Sequence, residues 1–295
     1  MEDVGTGTRD AVRLDPLQPG DHVGWIVGSA EEYERLSRWC LADGARAGDK
    51  LFVLGSRAGG AARATHLPEL PEHTRLSPLR SDALDPDAMG QVFARETAAA
   101  CHEGYRGVRV LADMEWLLDH PPAPTLETLV DFELRLGRMV AEMGAIVVCA
   151  YRARRFDPGT VAQVMCVHGL EIGENRPDRG FRMWSNGQNV WEVHGEVDLS
   201  NAAAFRAALE TALSDGDSPD GPAREPNGDA AATVRLRLSG LRFIDVTGMR
   251  TLALAAQSRR PGVRLVVQAA PRKFRRWWEL LGYDQDGDCG VEIQA

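Results

Sequence analysis

Gly240-Leu-Arg-Phe-Ile-Asp-Val-Thr-Gly-Met-Arg-Thr-Leu252 decides the fold of the C-terminal part of this chain. It reads as the apolar end of a strand, a turn at 245–248, and then a helix. Met249, Leu252, Ala253 and Ala256 fall on one face of that helix, and Thr247 is placed to cap it. Just upstream, Val234, Leu236 and Leu238 alternate with Arg235 and Arg237, the period of a half-exposed strand. Further upstream, 190–193 is a strand. A helix start follows at Asp198-Leu-Ser200, with Ser200 as the cap and Phe205, Ala208, Leu209 and Ala212 as its apolar stripe. Residues 214–230 are rich in Asp, Gly, Pro and Ser and read as a flexible insertion. Downstream, 263–268 is a strand. Phe274, Trp277, Trp278 and Leu281 form a last amphipathic stripe, which Gly282 terminates.

The order strand, helix, strand, switch loop, helix, strand, helix resembles STAS domains of the anti-sigma factor antagonist family. Three places carry the resemblance: Gly195-Glu-Val-Asp-Leu-Ser200, Leu238-Ser-Gly-Leu-Arg-Phe-Ile-Asp-Val-Thr-Gly248, and the pair Val263-Arg-Leu-Val-Val with Leu280-Leu-Gly-Tyr. The resemblance implies a smaller α/β domain with a mixed sheet over 183–295. It also implies a switch and partner-binding surface at Asp198, Ser200, Asp245, Val246, Thr247, Gly248 and Met249. In the family the loop is usually Asp-Ser-Ser/Thr-Gly, and the first hydroxyl takes a phosphate. A phosphate at a helix start is stabilised there and adds charge to a partner surface. In this chain Val246 stands at that position and has no oxygen to phosphorylate. The partner the resemblance implies is an anti-sigma factor of the serine-kinase type.

The N-terminal part alternates short apolar runs with helical patterns. Runs at 23–27, 51–54, 108–112 and 145–151 are separated by helices at 31–47, 87–102 and 125–143. Near-continuous apolar strands joined by helices imply a parallel, doubly wound sheet covered on both faces. No Gly-x-x-x-x-Gly-Lys-Ser/Thr follows the first strand, and Glu31 and Glu32 occupy the helix start where a phosphate would sit. The chain is therefore expected neither to bind nor to hydrolyse ATP. Gly20-Asp-His-Val, Val108-Arg-Val-Leu-Ala-Asp-Met-Glu-Trp116, Cys149-Ala-Tyr-Arg-Ala-Arg-Arg-Phe156 and His168 resemble the MEDS sensory domain of methanogen and methylotroph sensors. That resemblance spans 14–172. It implies a RecA/P-loop-like fold that has lost its P-loop and senses a small molecule. Ligands of open parallel sheets sit beyond the carboxyl ends of the strands. The expected ligand residues are His22, Asp113, Glu115, Trp116, Tyr151, Arg152, Arg154 and Arg155. For His22 and His168 a purely structural role is the competing reading. The turn-rich stretch 175–187 is read as the domain boundary.

The 295 residues suit two domains, and a net charge of −9 argues against nucleic-acid binding. The N-terminus has no signal-peptide core, and no run has the length of a membrane span, so the expectation is a cytoplasmic protein. The five cysteines form no Cys-x-x-Cys pair and read as reduced core thiols. No spacing of His, Cys, Asp and Glu matches a metal site, and no motif marks a catalytic nucleophile. The expectation is therefore no enzyme, no cofactor and no metal, with oligomeric state left open. Function is expected to be signalling: the sensory domain controls STAS binding to its partner. Two alternatives stand beside it. One is a small-molecule enzyme in the N-terminal domain with STAS as a regulatory appendage. The other is a scaffold subunit of a stress-signalling complex.

Overall fold

The computed structural model describes residues 16–55, 76–79, 85–119, 124–175, 180–185, 190–214, 232–283 and 290–294. The chain builds two α/β units. The first has a six-stranded sheet in the order β3-β2-β4-β5-β1-β6. Its strands are β1 (His22–Val27), β2 (Asp49–Leu54), β3 (Leu76–Leu79), β4 (Gly107–Asp113), β5 (Ile146–Arg152) and β6 (Leu170–Ile172). All pair in parallel. Strands β1, β4 and β5 are buried along almost their whole length, which is why they read as unbroken apolar runs.

Helix α1 (Ala30–Ala47) covers one face, packing Tyr33, Leu36, Cys40 and Leu41 against Trp25, Leu51, Leu111 and Val148. Helices α2 (Pro86–His102), α3 (Leu126–Met143) and α4 (Pro158–Val164) cover the other. There Met89, Phe93, Leu129, Phe132 and Leu136 meet Val110, Val147, Cys149 and Tyr151. Helix placement on both faces follows from right-handed crossovers between parallel strands. Buried charged side chains interrupt the apolar pattern in places. Arg109 of β4 is fully buried and pairs with Asp43 and Asp49, each at 2.9 Å.

The second unit has a mixed five-stranded sheet in the order β11-β10-β9-β8-β7. Its strands are β7 (Phe181–Ser185), β8 (Val190–Val197), β9 (Ala232–Ile244), β10 (Val263–Gln268) and β11 (Val291–Ile293). Only the β7–β8 pairing is antiparallel. Helices α5 (Ala202–Ser214), α6 (Val246–Gln257) and α7 (Arg272–Leu280) complete it.

Several expectations need correction. The stretch 175–187 is not all linker, because β7 lies within it and buries Phe181, Met183 and Ser185 while Arg182 and Trp184 stay half-buried. Residues 245–248 are not a free turn, since α6 begins at Val246 and Asp245 is its cap. Thr247 therefore lies inside the first turn and does not cap. Ser200 does not cap either. Its hydroxyl donates to Asp198 Oδ1 at 2.5 Å, and the first helical bond of α5 runs from Phe205 N to Asn201 O. Trp277 is 53 % exposed while Phe274 and Trp278, an i, i+4 pair, are buried. Cys101 is exposed, unlike Cys40, Cys149 and Cys166, so not every thiol belongs to a core. Most of the insertion read at 214–230, and Cys289, lie outside the described residues.

The two units meet along α3. Val130 and Leu134 of α3, with Cys166 and Val167, join the core made by Phe205, Ala208 and Ala212 of α5. Thr211 Oγ1 donates to Asp131 Oδ1 at 2.9 Å, and Arg182 Nη1 of β7 donates to Gly169 O at 3.2 Å.

Candidate functional site

Among the described residues, two places carry chemistry. The first lies under α3, on the sheet face that α3 covers. His22 opens β1, Cys149 and Tyr151 project from alternate positions of β5, and Glu133 sits in the second turn of α3. His168 follows a 3-10 turn, Met165–Val167. His22 is 7 % exposed, and Glu133, Cys149, Tyr151 and His168 are fully buried. Glu133 is the hub. Its Oε2 accepts from His22 Nε2 at 3.0 Å and from Cys149 Sγ at 3.4 Å, and lies 3.5 Å from His168 Nε2. Its Oε1 accepts a short bond from the Tyr151 hydroxyl. His168 Nδ1 donates to Val164 O at 3.2 Å, which fixes its tautomer and turns Nε2 towards Glu133. The two imidazoles stack at 4.3 Å between centroids.

A buried carboxylate is costly unless it is paired. Burial by itself would raise the Glu133 carboxyl, but the facing His168 and His22 hold it well below the usual carboxylate range. Burial lowers His22, and neighbouring His168 lowers it further, against the opposing pull of Glu133. Burial and the Glu133 charge together push the Cys149 thiol and the Tyr151 hydroxyl well above their ordinary values. His22, Glu133, Cys149 and His168 each offer one ligand atom, all within 4.8 Å of one another. These residues could hold a metal ion.

The residues expected to bind a ligand divide between this cluster and a separate ion-pair network. His22 and Tyr151 belong to the cluster. Asp113 accepts from Arg152 Nη2 at 2.8 Å, and Glu115 lies 3.5 Å from both Arg152 and Arg155. Arg152 also stacks over the Tyr33 ring at 4.3 Å. Trp116 is buried edge-on against Phe132, and Arg154 is exposed. At the start of α1, Glu32 takes the place of an anion. Its carboxylate accepts from Gly28 N at 2.8 Å, Glu174 N at 3.1 Å, and Trp25 Nε1 and Asn175 Nδ2 at 3.2 Å.

Spacing could not reveal Glu133 or Cys149, because the cluster is assembled from four distant segments. One signal was present. Leu129, Glu133, Leu136 and Val140 share one face of α3, so a carboxylate occupies a core position of an amphipathic helix.

The second place is the start of α6. Asp245 Oδ1 accepts from Gly248 N at 2.8 Å, and Oδ2 accepts from Leu199 N at 3.2 Å, so one carboxylate caps the helix and ties in the neighbouring loop. Asp198 Oδ1 in turn accepts from Ser200 N at 2.8 Å. Val246 is 58 % and Leu199 75 % exposed, Thr247 is half-buried, and Gly248 and Met249 are buried beneath them. Met249 therefore braces the loop from the core and is not part of its outer surface. Beside it, a groove of about 500 Å³ lies between the end of β9 and α7, lined by Phe243, Trp277 and Leu280 with Arg242, Lys273 and Arg276.

A parallel sheet with a buried polar cluster, docked on a mixed-sheet unit with an exposed capped loop, defines a two-module α/β protein. The family comparisons agree. The MEDS family (MEthanogen/methylotroph, DcmR Sensory domain) matches residues 21–169, and the family described as Mlab, STAS domain matches 184–292. The chain belongs to the MEDS family and carries a STAS domain behind it. A search of curated proteins finds none that matches the chain. Among the described residues, no helix is long and apolar enough to cross a membrane.

Proposed function

We propose that this chain is a non-enzymatic, cytoplasmic signalling regulator. Its N-terminal domain, about 14–172, receives the signal, and its STAS domain, about 183–295, binds an anti-sigma factor of the serine-kinase type. One observation carries the reading: Leu199 and Val246 are both exposed, and the Asp245 carboxylate joins their two loops through Leu199 N and Gly248 N. Exposed apolar side chains on a rigid capped loop suit a protein partner. The groove beside them, with Arg242, Lys273 and Arg276, favours an acidic partner face. Control from the sensory domain runs through α3, which contributes both to the buried cluster and to the STAS core.

Because Val246 replaces the hydroxyl, the surface stays competent for binding without dephosphorylation. Incubation with a serine-kinase anti-sigma factor is expected to leave the native loop unphosphorylated, and Val246→Ser is expected to gain a phosphate. Val246→Asp should weaken partner binding at least about tenfold, by placing a charge in the interface. Phosphate on native Thr247, or unchanged affinity in Val246→Asp, would defeat this reading.

A further inference from the structure

The buried cluster under α3 has the composition, spacing and supporting contacts of a metal centre. The nearest separations among its ligand atoms are 3.0 Å for His22 Nε2 to Glu133 Oε2 and 3.4 Å for Cys149 Sγ to His22 Nε2. Cys149 Sγ to Glu133 Oε2 is 3.4 Å, and His168 Nε2 to Glu133 Oε2 is 3.5 Å. A tetrahedral ion with metal–nitrogen and metal–oxygen bonds of about 2.0–2.2 Å and a metal–sulfur bond of about 2.3 Å needs ligand atoms roughly 3.3–3.8 Å apart. These four separations lie within a few tenths of an ångström of that range, and all four ligand atoms lie within 4.8 Å of one another.

We propose that His22 Nε2, Glu133 Oε2, Cys149 Sγ and His168 Nε2 together bind one divalent transition-metal ion, with Zn²⁺ as the expected occupant.

Four observations support this. His168 Nε2 is fully buried and makes no hydrogen bond. Nδ1 is engaged by Val164 O, so Nε2 is the ring atom turned to Glu133 Oε2, 3.5 Å away. A cation lying between these two atoms would give both a partner. Next, the outer contacts are those that metal ligands need. A backbone carbonyl orients one imidazole, and the Tyr151 hydroxyl holds the second oxygen of Glu133. Then there is charge. One thiolate and one carboxylate balance a divalent ion, so the buried centre is neutral overall. Imidazole, thiolate and a single carboxylate select a borderline ion over Mg²⁺ or Ca²⁺, which take oxygen donors. Lastly, two glycines make room for the imidazoles. A Cβ on Gly24 would lie 2.9 Å from His168 Cγ, and one on Gly137 would lie 2.8 Å from His22 Nδ1.

With four protein donors and almost no exposure the centre is closed, the pattern of a structural rather than a catalytic site. Binding requires the Cys149 thiol to lose its proton and the His22 ring proton to move from Nε2 to Nδ1, so uptake releases one proton to solvent and is favoured by rising pH. The ligands also bear on the domain junction. Glu133 shares α3 with Val130 and Leu134, and His168 precedes Gly169, whose carbonyl accepts from Arg182 of β7. This coupling rests on the regulatory reading above; the metal site does not.

The test uses the full chain. Purified protein dialysed against Zn²⁺ and then against buffer should retain about one ion per chain by elemental analysis. X-ray absorption at the zinc edge should show one sulfur at about 2.3 Å and three nitrogen or oxygen neighbours at about 2.0–2.1 Å. Co²⁺ in place of Zn²⁺ should give a thiolate-to-cobalt charge-transfer band that Cys149→Ser abolishes and Cys166→Ser keeps. Tyr151→Phe should lower Zn²⁺ affinity about 10–100-fold while leaving the fold intact. Failure to retain metal, a shell without sulfur or with several sulfurs, or a band that survives Cys149→Ser would overturn the proposal. If Cys149→Ser does not fold, the absorption spectrum of the unaltered protein decides alone. Loss of the metal site would leave the partner-binding result at Val246 untouched.

Discussion

Asp245 shows how much one side chain can organise. It caps α6 through Gly248 N and ties Leu199 N to the same point. Asp245→Ala should lower STAS stability by about 1 kcal/mol, and Asp245→Asn by much less, since Asn caps nearly as well. Urea midpoints of the two variants would check this; equal losses would mean that charge, not capping, matters. The Asp-Val-Thr-Gly run was legible as a helix start, but the residue that caps it was not. Asp and Thr are both good caps, and the choice depends on where β9 stops, which is set by its pairing with β8. Cys149 was illegible for a related reason. A thiol in a buried strand looks the same in sequence whether it faces a leucine or a carboxylate.

Elements add effects that single residues do not show. His194 lies on β8, with its ring 4.7 Å from Trp184 of β7 and Nε2 4.0 Å from Glu192. Burial lowers its pKa below the ordinary 6.5, Glu192 pulls it back up, and Arg182 lowers it further. The folded state therefore resists protonation more than the unfolded chain does. The stabilisation is present above pH 6.5 and is lost as the pH falls from there towards the lowered value. Melting temperatures at pH 7.5 and 5.5 should drop further for the native protein than for His194→Gln. Identical drops would remove His194 from the account. The strand that holds Trp184 was also the one hidden in the sequence. β7 is only five residues long and carries the half-buried Arg182 and Trp184, so its alternation was lost among the turn residues around it. The long strands and helices of both sheets were plain, because continuous apolar runs and helical stripes differ clearly in period.

At the scale of the whole molecule, both units rest on α3. Leu134 is 1 % exposed and belongs to the STAS-side core. Leu134→Ala should cost about 2–5 kcal/mol, from lost burial and the cavity left behind. It should also split thermal unfolding into two steps, where the native chain is expected to unfold in one. Calorimetry would show the number of transitions, and a single transition in the variant would argue that the junction does little to join the units. None of this junction was visible in the sequence, because α3 carries apolar residues that serve two different neighbours and the pattern does not say which. The shared helix also bears on how such proteins can be recombined. Domain boundaries are commonly tolerant places for shuffling, since few contacts cross them. Here Val130 and Leu134 on one side fit Phe205, Ala208 and Ala212 on the other. A different sensory module fused at 176–179 would leave an oily flank of α5 uncovered unless it brought a helix of the same shape. Descent with a new sensor would then require the junction and the sensor to be inherited together.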